Sequence, residues 1–157
     1  MQGRRRVVLV VEQDRELRDR MGGWLEADGH EVLACPGPSH PDYTCVVGRG
    51  SPCTLADAAD VVVLDLWLAS DRMLLGTSSK QLLRYYVSTG RPVVALAERR
   101  HHDSLLKGFL DEAILFLEWP PDPHDLCETV RTALRDLPPI FGPSSPAKRD
   151  KGLSSQA

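Results

Sequence analysis

No apolar stretch in this chain approaches the roughly 20 residues that a membrane span needs. The apolar run nearest the start, Val7 to Val11, stops at Glu12, too soon for a signal-peptide core. A cytoplasmic chain with no membrane partner is the expectation. Cysteine is scarce and unevenly placed, at Cys35, Cys45, Cys53 and Cys127, which excludes a secreted disulfide framework and leaves thiols as the expected state. Basic residues gather at the ends, in Arg4–Arg6 and in Lys148, Arg149 and Lys151. With 19 Lys and Arg against 22 Asp and Glu overall, the body between is acidic, a poor match to a phosphate backbone. Direct nucleic-acid binding is therefore not expected. There is no internal repeat.

What the chain does have is a regular alternation. Its 157 residues, 42% of them hydrophobic, suffice for one domain with a sizeable core. Val7–Val11, Val61–Leu64 and Val93–Leu96 are short Val- and Leu-rich runs that read as strands buried on both faces, and Glu31–Ala34 and Ile114–Leu117 complete five. Between them, Leu17, Met21, Trp24 and Leu25 form one apolar helical stripe after Asp14, and Gly29 supplies a left-handed stop. Ser79 to Ser88 repeats the stripe with Leu82, Leu83, Tyr86 and Val87, ended by Gly90 and Pro92. His102–Leu110 reads as a shorter helix. Asp122 as N-cap and Pro123 at the first position open a last helix with Leu126, Val130 and Leu134 on its buried face. This order predicts an α/β fold: a doubly wound, five-stranded parallel sheet of flavodoxin-like type with helices on both faces. The domain is expected to run over residues 1–137. The Pro- and Ser-rich tail, 138–157, is expected to be disordered.

In such sheets chemistry sits at the carboxyl ends of the strands. The residues presented there are Glu12, Gln13 and Asp14 after the first strand, Asp65 after the third and Ala97 after the fourth. Asp14 suits a helix N-cap. Asp65 ends an apolar run, where a carboxylate must be desolvated or face a polar crevice, and so points to function.

The stretches VVLVVEQDRELRDRMGGWLEADGHEV, ADVVVLDLWL and GRPVVALAE, followed by Trp119-Pro120, together resemble the receiver domain of bacterial two-component response regulators. The resemblance spans roughly residues 5–137 in order and spacing. It implies that an acidic pair after the first strand holds Mg²⁺ and that an Asp after the third accepts a phosphoryl group from a histidine kinase. A hydroxyl follows the fourth strand, and a Lys precedes a Pro after the fifth. Carried over, these positions fall on Glu12 and Gln13, on Asp65, on Ala97 and on Trp119. Only Glu12 and Asp65 keep the required chemistry. Gln13 removes one anionic ligand, Ala97 has no hydroxyl, and Trp119 carries no positive charge, so Mg²⁺ is expected to bind weakly. Its remaining ligands would be Glu12, Asp65 and the Trp67 backbone carbonyl, with Asp14 as a recruit from the next position.

These substitutions imply a pseudo-receiver: a signalling module, not an enzyme, that docks a histidine kinase or a downstream signalling protein. One alternative is an active phosphoacceptor in a phosphorelay, using Asp65 with Mg²⁺. An aspartate-nucleophile phosphatase is disfavoured because Trp67 stands where its second Asp would be.

A second alternative lies in residues 35–53, where Pro and Gly forbid the family's helix. Cys35, Cys45 and Cys53, with His40 between them, offer a metal or redox site, although their spacing is no C-x-x-C form. Packed thiols and a Cys45–Cys53 bridge remain open readings. Thr54, with Asp57 three residues on, looks like a capping box opening a short helix. His101-His102, beside Arg99 and Arg100, is read as a solvated helix start, and Cys127 as packing.

Overall fold

The computed structural model describes residues 5–37, 52–66, 79–99 and 114–136. They form β1 (Val7–Val11), α1 (Arg15–Ala27), β2 (Glu31–Cys35), α2 (Thr54–Ala58), β3 (Val61–Asp65), α3 (Ser79–Ser88), β4 (Val93–Ala97), β5 (Ile114–Glu118) and α4 (Pro123–Asp136). The strands make one parallel sheet in the order β2-β1-β3-β4-β5. The sequence-based helix over His102–Leu110, most of the cysteine loop and the tail lie outside the described residues.

The three apolar runs are the three central strands, buried along their whole length. Side-chain alternation sends Leu9, Val11, Val62, Leu64, Val93 and Ala95 to one core, shared with Ala56 of α2 and Leu82, Leu83 and Tyr86 of α3. Val8, Val10, Val61, Val63, Val94 and Leu96 face the other core, against Met21 and Leu25 of α1 and Leu126, Val130 and Ala133 of α4. Helices thus cover both faces, which is why these strands carry apolar residues at every position. The edge strands β2 and β5 are only partly buried.

Local chemistry fixes the ends. Asp14 caps α1, its Oδ1 accepting the Leu17 N–H at 3.0 Å. Gly29, at φ 98°, takes the left-handed conformation that turns the chain into β2. Asp122 caps α4 in the same way, its Oδ2 accepting the Asp125 N–H at 3.0 Å. The expected capping box at Thr54 is corrected: Cys53 holds the N-cap position without a side-chain cap hydrogen bond, and Thr54 is already helical. The turn is held instead by the Asp57 N–H on Cys53 O, and the Cys53 N–H donates to the Tyr85 hydroxyl of α3 at 2.8 Å. Strands β2 to β5 each run one residue further than their apolar pattern.

Candidate functional site

The parallel register brings the carboxyl ends of four strands abreast. Val11 pairs with Leu64, Asp65 with Leu96, and Ala97 with Glu118. Glu12, one step past Val11, therefore falls alongside Asp65, and both carboxylates are buried, at 2% and 1% exposure. Glu12 continues the alternation of Val8 and Val10, and Asp65 that of Val61 and Val63, so both belong to the α1/α4 side of the sheet.

The β1–α1 turn is tightly bonded around Glu12. The Glu12 N–H donates to Cys35 O at 3.0 Å, and Glu12 Oε2 accepts the Asp14 N–H at 3.0 Å. Arg18 reaches back from α1, its guanidinium donating to Glu12 O at 2.8 Å and to Gln13 O at 3.5 Å. Glu12 Oε1 is left buried with no hydrogen-bond partner among the described residues. A buried carboxylate oxygen in that state, beside a second buried carboxylate, suits a hard divalent cation. Gln13 and Asp14 are exposed, and Asp14 is engaged as the α1 cap. Trp67 lies outside the described residues.

On the other side of Asp65, β4 ends in Ala97, buried at 3% exposure. The Trp119 N–H donates to Ala97 O at 3.0 Å, prolonging the β4–β5 ladder by one bond. The Trp119–Pro120 peptide is cis. Trp119 is half-buried and packs against the α1/α4 core, the same side as Glu12 and Asp65. At the solvent edge, Arg99 and Glu118 form an ion pair at 2.8 Å.

The cysteines lie elsewhere. Cys35 and Cys53 are thiols buried in the α2/α3 core, at 3% and 5% exposure, and Cys35 Sγ accepts the Gly37 N–H at 3.4 Å. Cys45 and His40, with His101 and His102, are outside the described residues. The one metal-type cluster among the described residues is Asp122, His124 and Asp125, all exposed, at the N-cap and first turn of α4.

Three polar residues escaped the sequence reading. Arg18 stands among other charges on α1, and nothing in one dimension tells which of them folds back over the turn. Asp60 is buried before β3, where the only signal is an acid preceding an apolar run. His30 is buried at the start of β2, its Nε2 3.6 Å from Asp28 Oδ2, and Asp28 in turn accepts from Arg131 Nε at 2.9 Å. Burial lowers the His30 pKa, against the pull of Asp28 and helped by Arg131 and Arg6.

No family model matches the sequence, and no curated protein does either. Among solved structures, the chain is similar to a response regulator receiver domain protein from Clostridium thermocellum, with TM-score 0.61 and 19% identity over 83% of this chain and 95% of that one. It is similar to the receiver domain of NtrX from Brucella abortus, with TM-score 0.60 and 22% identity over 81% of this chain and 97% of that one. Chemotaxis protein CheY4 from Vibrio cholerae aligns with TM-score 0.60 and 15% identity over 83% of this chain and all of that one. The fold is that of a receiver domain.

Proposed function

We propose that this chain is a receiver-type module of two-component signal transduction that acts by docking a protein partner, a histidine kinase or a downstream signalling protein, rather than by catalysis. The observation that carries this reading is the chemistry left at the strand ends. The acid of the third strand is kept, beside one acid of the first, while the hydroxyl and the lysine positions hold Ala97 and Trp119. Oriented donors and positive charge are what offset the negative charge of a transferring phosphoryl group. Ala97 supplies no side-chain donor, and Trp119 spends its backbone N–H on Ala97 O and packs its ring against the α1/α4 core. Packing thus stands in place of the groups that would report phosphorylation, and the ends of β4 and β5 would keep one conformation.

A second reading, an active phosphoacceptor, is favoured by the partnerless Glu12 Oε1 beside Asp65. Glu12 and Asp65 would hold Mg²⁺ in either reading, weakly because Gln13 is neutral. The ion supplies charge neutralisation for oxygens on the transferred group. Asp65 would act as nucleophile, and Glu12 would orient the ion.

Intact-mass spectrometry after treatment with acetyl phosphate and Mg²⁺ separates the two. An unmodified chain supports the docking module. A phosphoryl adduct that disappears in Asp65→Asn establishes the phosphoacceptor and overturns it.

A further inference from the structure

We propose that Arg18 is a positioning residue of the strand-end crevice: by holding the carbonyls of Glu12 and Gln13, it keeps the Glu12 carboxylate seated beside Asp65 and so sets the affinity of that pair for a divalent cation. The proposal rests on the preceding reading that Glu12 and Asp65 are the cation ligands.

The polar groups of Glu12 are held from β2, from the turn and from α1. Its N–H is tied to β2 through Cys35 O, and its Oε2 is tied to the Asp14 N–H. Its carbonyl takes the Arg18 guanidinium at 2.8 Å, and the neighbouring Gln13 carbonyl takes the same nitrogen at 3.5 Å. Every hydrogen-bonding group of Glu12 is thereby committed, the N–H to β2 and the others within the turn and α1, except the buried Oε1. Arg18 is the only side chain among these partners that donates to the turn from α1, and its own N–H donates to Asp14 O at 2.8 Å, so turn and helix are locked as one body. A guanidinium suits this task because the two N–H bonds of one terminal nitrogen lie in a fixed plane and are shared between the Glu12 carbonyl, at 2.8 Å, and the more distant Gln13 carbonyl, whereas an ammonium is a flexible point donor.

The consequence for a cation is specific. A ligand carboxylate that must be immobilised on binding costs affinity, whereas one already held does not. Arg18 also places positive charge near the site, which opposes a cation. Positioning and charge therefore predict opposite results when the side chain is removed.

The experiment follows amide signals near Glu12 and Asp65 by NMR while Mn²⁺, whose paramagnetism broadens nearby signals, is titrated into the full chain and into Arg18→Ala, Arg18→Lys and Asp65→Asn. Positioning predicts that Arg18→Ala binds about tenfold more weakly, the lower end of what outer partners of metal ligands contribute. Arg18→Lys, which keeps one point donor for the Glu12 carbonyl but not the fixed planar geometry, should fall between Arg18→Ala and the unaltered chain. Without any cation, the Asp14 amide should exchange faster in Arg18→Ala while the Val63 amide keeps its protection, which also shows that the variant is folded. Unchanged or tighter Mn²⁺ binding by Arg18→Ala, or an Asp14 amide as protected as before, overturns the proposal alone. Absence of saturable broadening in the unaltered chain, or binding that persists undiminished in Asp65→Asn, overturns the cation reading and the proposal with it.

Discussion

Asp60 and Val7 close the amino-terminal end of the β1–β3 pair by a reciprocal exchange. Asp60 Oδ2 accepts the Val7 N–H at 2.8 Å, and the Asp60 N–H donates to Val7 O at 2.8 Å. Both residues are buried, at 8% and 9% exposure, so neither group can turn to water instead. Asp60→Ala would leave the Val7 N–H without its acceptor and is expected to cost about 1–3 kcal/mol. Asp60→Asn, which keeps an oxygen there, should cost less. Urea unfolding of the two variants checks this, and equal losses would show that the acceptor does not matter.

The His30 environment makes stability depend on pH. Burial lowers its folded pKa below the ordinary 6.5, so between the two values the unfolded chain binds more proton than the folded one. The contribution is fully present above pH 6.5 and is lost as the pH falls below that value through the folded pKa. His30→Gln cannot take up the proton, so its stability should fall less steeply between pH 7.5 and 5.5 than that of the unaltered chain, as denaturant midpoints would show.

How much of this was legible in the sequence follows from what each element needs. Val7–Val11, Val61–Leu64 and Val93–Leu96 announce buried parallel strands because burial on both faces demands apolar residues at every position. The last residue of each of β2 to β5 escapes that pattern, since a ladder bond needs only backbone, and Asp65 and Ala97 join the sheet that way. Asp14 and Asp122 were readable as caps because capping is local. Cys53 was not, because α2 is held from α3 by Tyr85, thirty-two residues away. Glu12 and Asp65 could be placed at strand ends by rule, but their burial side by side depends on register, and the Arg18 contact depends on a side chain folding back. Neither leaves a periodic trace.

The thiols give a third test. Cys35 and Cys53 are buried among apolar side chains, and the Cys127 thiol is pushed up in pKa by burial, with Asp28 adding to it. Thiolate is the reactive form, so all three should resist a thiol reagent in the folded protein and react only on unfolding. Chelator treatment should leave the thermal midpoint where it was, whereas loss of a structural zinc would lower it. Stoichiometric zinc in protein purified without added metal would instead favour the cysteine-loop sensor.

The final prediction separates packing from phosphorylation as the source of partner affinity. Trp119 shares the α1/α4 side of the sheet with Glu12 and Asp65, and its N–H is fixed on Ala97 O. Its ring therefore packs the end of β5 onto the core that α1 and α4 share with the sheet. Trp119→Ala opens a gap beside a close-packed core and is expected to cost about 2–3 kcal/mol. The same change should weaken capture of whichever kinase or signalling protein the unaltered chain binds, because a loosened face must be ordered again on binding. Asp65→Ala removes the candidate phosphoacceptor and keeps the Trp119 ring, so capture should persist at full strength. A quantitative pull-down with both variants, each checked for folding by circular dichroism, reads the difference. Loss of capture in Asp65→Ala with Trp119→Ala unaffected would place control in the carboxylate and sink the docking-module reading.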